Sequence, residues 1–245
     1  MSNTRHHAFA LVSLALAPWL AGCSFGLHSP TEGVGGSVEE ACESGVASAC
    51  THVGVMRESG VELSKNPEAA AKAYSKACEG RDGPGCFNLA VMFAKGAGVP
   101  ENEPAAARLY EKGCGLGYAP ACHNLGRVLA AGRGVPVDKA RALSLAERSC
   151  DLGEASDCNA LAMANDKGDG VFPDPVKARD FYQKACDAGS GFGCQSLSGM
   201  YAQGRGVQAD TLQAMVFKKR AAALYQEACD RGNMAACGEA KRLAP

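Results

Sequence analysis

The chain is poor in the residues that most catalysis needs. Among 245 residues there is one tryptophan, five are histidine, and aromatics make up 6%. No His-x-x-Glu-His occurs, which excludes one common zinc-hydrolase grouping, and the absence of Ser-x-x-Lys, Ser-Asp-Asn and Lys-Thr-Gly excludes a familiar serine-acylating set. Charge is balanced, with 25 basic against 26 acidic residues, and this argues against a dedicated nucleic-acid binder. Long apolar runs are missing too. The one candidate, Ala8 to Leu20, is broken by Ser13 and Pro18 and is short for a bilayer span.

That run follows a weakly basic opening (Arg5, His6, His7), so residues 1–22 read as an export signal. It closes on Leu20-Ala21-Gly22-Cys23, which resembles the bacterial lipobox. The resemblance implies cleavage before Cys23 and a diacylglycerol on its thiol; the uncharged Ser24 implies sorting to the outer membrane, facing the periplasm. An ordinary export signal that leaves Cys23 a free thiol is the alternative. Acyl chains would anchor the protein to the cell envelope without spanning it. Residues 23–36, rich in Gly, Ser and Pro, are expected to form a flexible tether, with the folded part over 37–245. Loss of the signal removes Trp19, Arg5 and two histidines, leaving His28, His52 and His123 and 24 of the 25 basic residues.

What the chain has in abundance is cysteine. Apart from Cys23 the cysteines form C-x7-C pairs: Cys42/Cys50, Cys78/Cys86, Cys114/Cys122, Cys150/Cys158, Cys186/Cys194 and Cys229/Cys237. The period is 36 residues four times and then 43. Such a period marks stacked supersecondary units. In an exported protein these twelve cysteines favour disulfides over metal ligands.

Alignment on the second cysteine exposes columns. Three residues on stand Val53, Leu89, Leu125, Leu161 and Leu197, and six on Met56, Met92, Val128, Ala164 and Met200. With the residues seven on, they trace one stripe of a helix, called A, interrupted by polar residues such as Asn165. Gly60, Gly96, Gly132, Gly168 and Gly204 then stop the helix, the last four within Gly-x-Gly-Val. No strand precedes these glycines, so a phosphate loop is not the reading. A second helix, B, begins near Pro67, Pro104 and Pro175 and runs into the next cysteine. Eight residues before that cysteine stands alanine (Ala70, Ala106, Ala142, Ala178, Ala221), and four before it Tyr74, Tyr110, Ala146, Tyr182 and Tyr225. These predict close helix crossings and core tyrosines.

Residues eight apart in one helix lie about 12 Å apart along its axis. A disulfide needs Cα atoms within roughly 7 Å. Each pair therefore requires a helix break, supplied by Gly45, Gly117, Gly153, Gly189 and Gly232, with Arg81 the exception. Bridges within each C-x7-C tie the end of helix B to the start of the next helix A.

The run from Ala106 to Cys114, AARLYEKGC with its preceding Gly-x-Gly-Val, resembles the Sel-one-like repeats, relatives of the tetratricopeptide repeats. The doubled cysteines make the Hcp-type cysteine-rich members most similar. The resemblance covers 37–245 and implies an all-α right-handed superhelix of antiparallel helix pairs: five pairs, with half-units at Ser37–Glu43 and Met234–Leu243 acting as caps. The longer last period inserts seven residues around Ala209 to Phe217, almost two helical turns, so helix B lengthens without changing its buried face. Leu212, Met215 and Val216 on that extension are expected to form a cap, with a docking patch as the alternative.

Two functions from different classes follow. Repeat superhelices present a concave face to a peptide or protein partner, and helix A lines it in tetratricopeptide relatives. Asn88, Asn124 and His123, just after the second cysteine, are contact candidates together with Asn165; Asn can hydrogen-bond an extended backbone as donor and acceptor. Solvation, or bonding to the next repeat, is the bland alternative. The Hcp resemblance instead implies a β-lactam or peptidoglycan-like ligand and β-lactamase-like hydrolysis, for which the residues supply no motif. A purely mechanical envelope component or a secreted effector is a third class. No catalytic residue, cofactor or metal is expected.

Overall fold

The computed structural model describes residues 34–243 apart from Gly170. The export signal, Cys23 and residues 24–33 of the tether lie outside the described residues. Twelve helices follow in order: α1 (Val34–Glu43), α2 (Ala47–Ser59), α3 (Pro67–Glu79), α4 (Gly83–Lys95), α5 (Glu103–Gly115), α6 (Ala119–Ala131), α7 (Lys139–Asp151), α8 (Ala155–Lys167), α9 (Pro175–Asp187), α10 (Gly191–Gln203), α11 (Thr211–Asp230) and α12 (Met234–Leu243). The even helices from α2 to α10 are the A helices, each paired with the B helix that follows. Each packs on its sequence neighbours, giving an all-α solenoid. Helix α1 starts three residues before Ser37, taking the end of the expected tether into its first turn.

All six bridges form within their C-x7-C pairs, with Cα atoms 4.5 to 4.8 Å apart: Cys42 with Cys50, Cys78 with Cys86, Cys114 with Cys122, Cys150 with Cys158, Cys186 with Cys194, and Cys229 with Cys237. The first cysteine of each pair is the last residue but one of its helix, and the second is the fourth residue of the next. Cys50, Cys86, Cys122, Cys158 and Cys194 are buried, whereas Cys237, with no further unit stacked on it, is only half-buried. At each break one residue takes positive φ: the five expected glycines, and Arg81 itself at φ 65°. The other end of each unit is fixed by a column visible once the repeats are aligned. Asn66, Asn102, Asp138, Asp174 and Asp210 each cap a B helix, accepting a backbone N–H of its first turn at 2.9–3.0 Å.

The second glycine of Gly-x-Gly-Val has its own task. A Cβ at Gly98 would meet the Pro67 backbone at 2.4 Å, one at Gly134 that of Glu103 at 2.7 Å, and one at Gly206 that of Pro175 at 2.2 Å. Each loop thus lies directly on the start of the preceding B helix, and only a residue without a Cβ fits.

The core repeats with the units. Tyr74, Tyr110 and Tyr182 are buried, with Leu89, Leu125 and Leu197. Tyr225, at the end of the stack, is half-buried. Successive A helices touch at α2–α4, α4–α6 and α8–α10, whereas among B helices the substantial contact is α7–α9. The A helices therefore form the inner layer except between the third and fourth units, where the closer approach is between the B helices α7 and α9.

At the C-terminal end, Lys241 is exposed on α12 at the position where Gly54, Ala90, Gly126, Ala162 and Ser198 stand in the A helices. The exposed charge contrasts with the small residues that the B helices pack against in the other units. The α11 extension keeps its buried face, with Ala214 and Phe217 in the core. Leu212, Met215 and Val216 do not close the end of the stack: they are 69%, 52% and 57% exposed, and Met215 lines an open groove with Ala222 and Leu243. Seven residues return the helix to nearly the same angle, which places these three on its outer side.

Candidate functional site

In the first four units the residue directly after the second cysteine reaches the start of the next A helix. Thr51 Oγ1 donates to Asp82 Oδ2 at 2.6 Å, and Asp82 also caps α4. Phe87 packs edge-on against Tyr118, the residue preceding α6, with centroids 5.4 Å apart. His123 Nδ1 lies 2.9 Å from Asp157 Oδ1 in the first turn of α8. Asn159 Nδ2 donates to Ser190 Oγ, the cap of α10, at 2.8 Å. In the last unit Tyr225 donates its hydroxyl to Gln195 Oε1 at 3.0 Å. Across the first four units the chemistry changes while the contact is kept; in the last, Gln195 meets the B helix α11 instead. His123 thus stands in the column that couples neighbouring repeats, and 29% of its side chain remains exposed.

Asn88 and Asn124, one residue further on, are brought together. They line a cleft of about 520 Å³ across α4, α5 and α6, floored by Phe87, Val91 and Ala94. Lys95, Arg127 and Arg133 reach the same cleft from exposed positions. None of these three cations makes an ion pair among the described residues. The acid on the rim, Glu58, accepts the Tyr74 hydroxyl at 2.9 Å, and this bond adds to burial in holding the Tyr74 phenol well above its ordinary range. Burial also raises Tyr110, while the Asn124 amide and then the charges of Arg133 and Arg127 pull it back. The cleft is a positively charged pocket with an apolar floor and two amides.

Asn165 is not part of it. It lines a separate cavity on the B side, between α7 and α9, and its Nδ2 donates to its own helix at the Leu161 carbonyl, 2.8 Å away. Lys95, Arg127 and Arg133 were not reachable from the repeat columns. Arg127 lies three residues beyond Asn124, however, and Val91 three beyond Asn88, so a 3.6-residue period carried onward from the two asparagines finds the face.

Nucleophile, base and oxyanion donors are not gathered anywhere among the described residues. His123 is engaged by Asp157, and His52 is exposed. Cys50, Cys86, Cys122, Cys158, Cys194 and Cys237 each hold their partner cysteine in a bridge, so none of the twelve offers a thiolate for attack or for a metal. The β-lactam reading gains no support from this arrangement.

Fold and cleft together define a class: a disulfide-stapled α/α repeat scaffold. The Sel1 repeat model matches residues 47–82, 83–118, 119–154, 155–190 and 193–233, and the chain belongs to that family. Each match begins at or within an A helix and takes in the B helix that follows. Proteins of this kind typically bind other proteins. The chain is similar to a Sel1 repeat protein of Oxalobacter formigenes (26% identity, TM-score 0.70) over 84% of its own length and 58% of that chain. It is also similar to a protective antigen of uropathogenic Escherichia coli (26% identity, TM-score 0.61), covering 82% of this chain and 49% of that one. The Helicobacter pylori cysteine-rich protein B is 31% identical over 51% of this chain and 95% of its own, with TM-score 0.43. The chain thus spans roughly half of the first two structures. Among curated proteins none matches.

Proposed function

We propose that this protein is a scaffold of the bacterial cell envelope, lipid-anchored through Cys23 at the outer membrane, whose inner helix layer binds an extended, acidic segment of a partner protein. The observation that carries the reading is the α4–α6 cleft, where Asn88 and Asn124 stand beside three cations without acidic partners. Amides on adjacent repeats suit the alternating donors and acceptors of an extended backbone. Lys95, Arg127 and Arg133 suit carboxylates, and arginine does so in a bidentate fork.

The test has two arms. Fluorescence anisotropy with labelled extended peptides of acidic, neutral and basic composition should show acidic peptides binding tightest, with Asn124→Ala and Arg127→Glu each weakening them at least about tenfold. Equal binding of all three pools, or no effect of either substitution, sinks the cleft. Metabolic labelling with an alkyne fatty acid tests the anchor; label retained in Cys23→Ala sinks that part.

A further inference from the structure

The fourth repeat departs from its siblings at neighbouring places. In the other interior units the residue seven after the second cysteine fills the groove between consecutive B helices. Phe93 packs with Leu109 there, Leu129 is buried, and Tyr201 stacks on Phe217 with centroids 5.4 Å apart. In α8 this residue is Asn165, folded back onto its own helix. Ala164 stands beside it in place of Met92, Val128 or Met200, and Ala146 occupies the tyrosine position of α7. With these small residues α7 and α9 approach more closely than the other B helices do, yet a notch of about 630 Å³ remains beside them, walled by Leu143, Leu161 and Phe181.

At the mouth of this notch stands an aromatic side chain with nowhere to go. Phe172 lies fourteen residues after Cys158, where the other units have Ser64, Pro100, Pro136 and Gln208, and it is 95% exposed. Leu143 and Val171 beside it are 48% and 39% exposed. A fully exposed phenylalanine has no value for the isolated chain, and contiguous apolar surface on a soluble protein marks an interaction site. The sibling repeats show what such a notch holds, since Phe93 and Tyr201 put aromatic rings there.

Knob and hole therefore lie side by side on one surface. That is the arrangement a two-fold interface needs, because each patch must complement itself. The rim charges fit the same symmetry. Glu147, Asp174 and Asp180 face the notch together with Lys177 and Lys184, which pair with Asp174 and Asp151 within the chain. A rim so mixed and largely neutralised lets two copies approach where a rim of one sign would repel. We infer that the fourth repeat is a dimer contact in which Phe172 of each chain enters the Asn165 notch of a second copy.

Sedimentation equilibrium of the full chain in density-matched detergent tests this. The mass should move reversibly from one chain to two between roughly 1 and 500 μM. Phe172→Ala should weaken the dimer at least about tenfold and leave melting unchanged, since the ring touches little in a single chain. Asn165→Phe, which copies the second repeat, should abolish the dimer and raise the melting temperature. A single-chain mass throughout that range overturns the inference, as does a dimer that persists in Phe172→Ala. Because Phe172→Ala removes only an exposed group, it decides the question even if Asn165→Phe packs poorly.

Discussion

The ring of Tyr74 lies directly on the backbone of Gly54: a Cβ at Gly54 would sit 2.4 Å from Tyr74 Cε1. This contact sets the distance between α2 and α3. Tyr74 is fully buried and its hydroxyl is held by Glu58, so the ring cannot swing away without giving up that bond. Gly54→Ala gains up to about 1 kcal/mol of helix propensity. Overpacking against a fixed ring costs typically 1–3 kcal/mol. The net expectation is destabilisation by about 1 kcal/mol, read as a lower midpoint in denaturant unfolding. Gly115→Ala, with nothing within 4 Å of its Cβ, is the control and should be neutral or stabilising.

Arg81 occupies the left-handed position that glycine fills in the other five B-to-A turns. A side chain there costs on the order of 1 kcal/mol. Its guanidinium makes no hydrogen bond or ion pair among the described residues that would repay this. Arg81→Gly should raise the unfolding free energy by roughly 0.5–1 kcal/mol, seen as a higher denaturant midpoint, after the backbone entropy glycine adds to the unfolded chain is subtracted. A loss of stability would mean that Arg81 holds a contact absent from the folded chain alone.

The bridges are local, and each closes a short loop. The chain-entropy model assigns such a loop about 2.5 kcal/mol. In an array held by nearest-neighbour contacts, stapling every unit boundary makes the whole melt late. Non-reducing peptide mapping should return each C-x7-C as one closed peptide. Excess reductant should lower the melting temperature markedly, and removal of the central pair by Cys114→Ala with Cys122→Ala should cost about 2–5 kcal/mol. A bridge between different units would overturn the arrangement.

Much of this fold is legible in the sequence because repetition multiplies weak signals. One alanine or tyrosine says little, but Tyr74, Tyr110 and Tyr182 in register declare a core column. The capping column from Asn66 to Asp210 is equally legible on alignment. The repeat-coupling contacts are not. Thr51, Phe87, His123 and Asn159 share a task without sharing chemistry, and their partners lie about 31 to 34 residues away. A contact kept by changing residue types leaves no column. The cleft escapes for a related reason: Lys95 belongs to one unit and Arg127 and Arg133 to the next, and only packing of α4 against α6 makes them one patch. The apolar pattern Leu212, Met215 and Val216 misleads because helical spacing alone does not tell an inward stripe from an outward one.

Five tyrosines, Tyr74, Tyr110, Tyr118, Tyr182 and Tyr225, have phenols raised above their ordinary value near 10, with burial the largest cause in each. The unfolded chain therefore loses these protons first as pH rises. The stability they confer is fully present below about pH 10 and falls as pH climbs toward the folded values. Each tyrosine that ionises only on unfolding steepens the loss by up to about 1.4 kcal/mol per pH unit. Phenolate absorbance near 295 nm should then appear together with loss of helical circular dichroism. Smooth titration of all the tyrosines while the helices persist would contradict the burial.

Asp157 is the last point at which the chain breaks its own rule. Ala49, Gly85, Ala121 and Gly193 precede the second cysteine in the other A/B pairs, and the site is tight, since a Cβ at Gly85 would meet Ala77 Cβ at 2.4 Å. Asp157 is 8% exposed, and although Oδ1 meets His123, Oδ2 is buried with no partner. An unsatisfied buried polar oxygen costs about 1–3 kcal/mol, whereas one hydrogen bond to a partly exposed imidazole returns about 1. Replacing the carboxylate by what the neighbouring repeats use should therefore be free or favourable. Asp157→Ala is expected to change stability by no more than about 0.5 kcal/mol in the unfavourable direction, since His123 can then turn to solvent. His123→Ala should cost more than Asp157→Ala, because it leaves both carboxylate oxygens buried without a partner. A double-mutant cycle in chemical denaturation measures both, and the reverse order would show that Asp157 is held by a group other than His123.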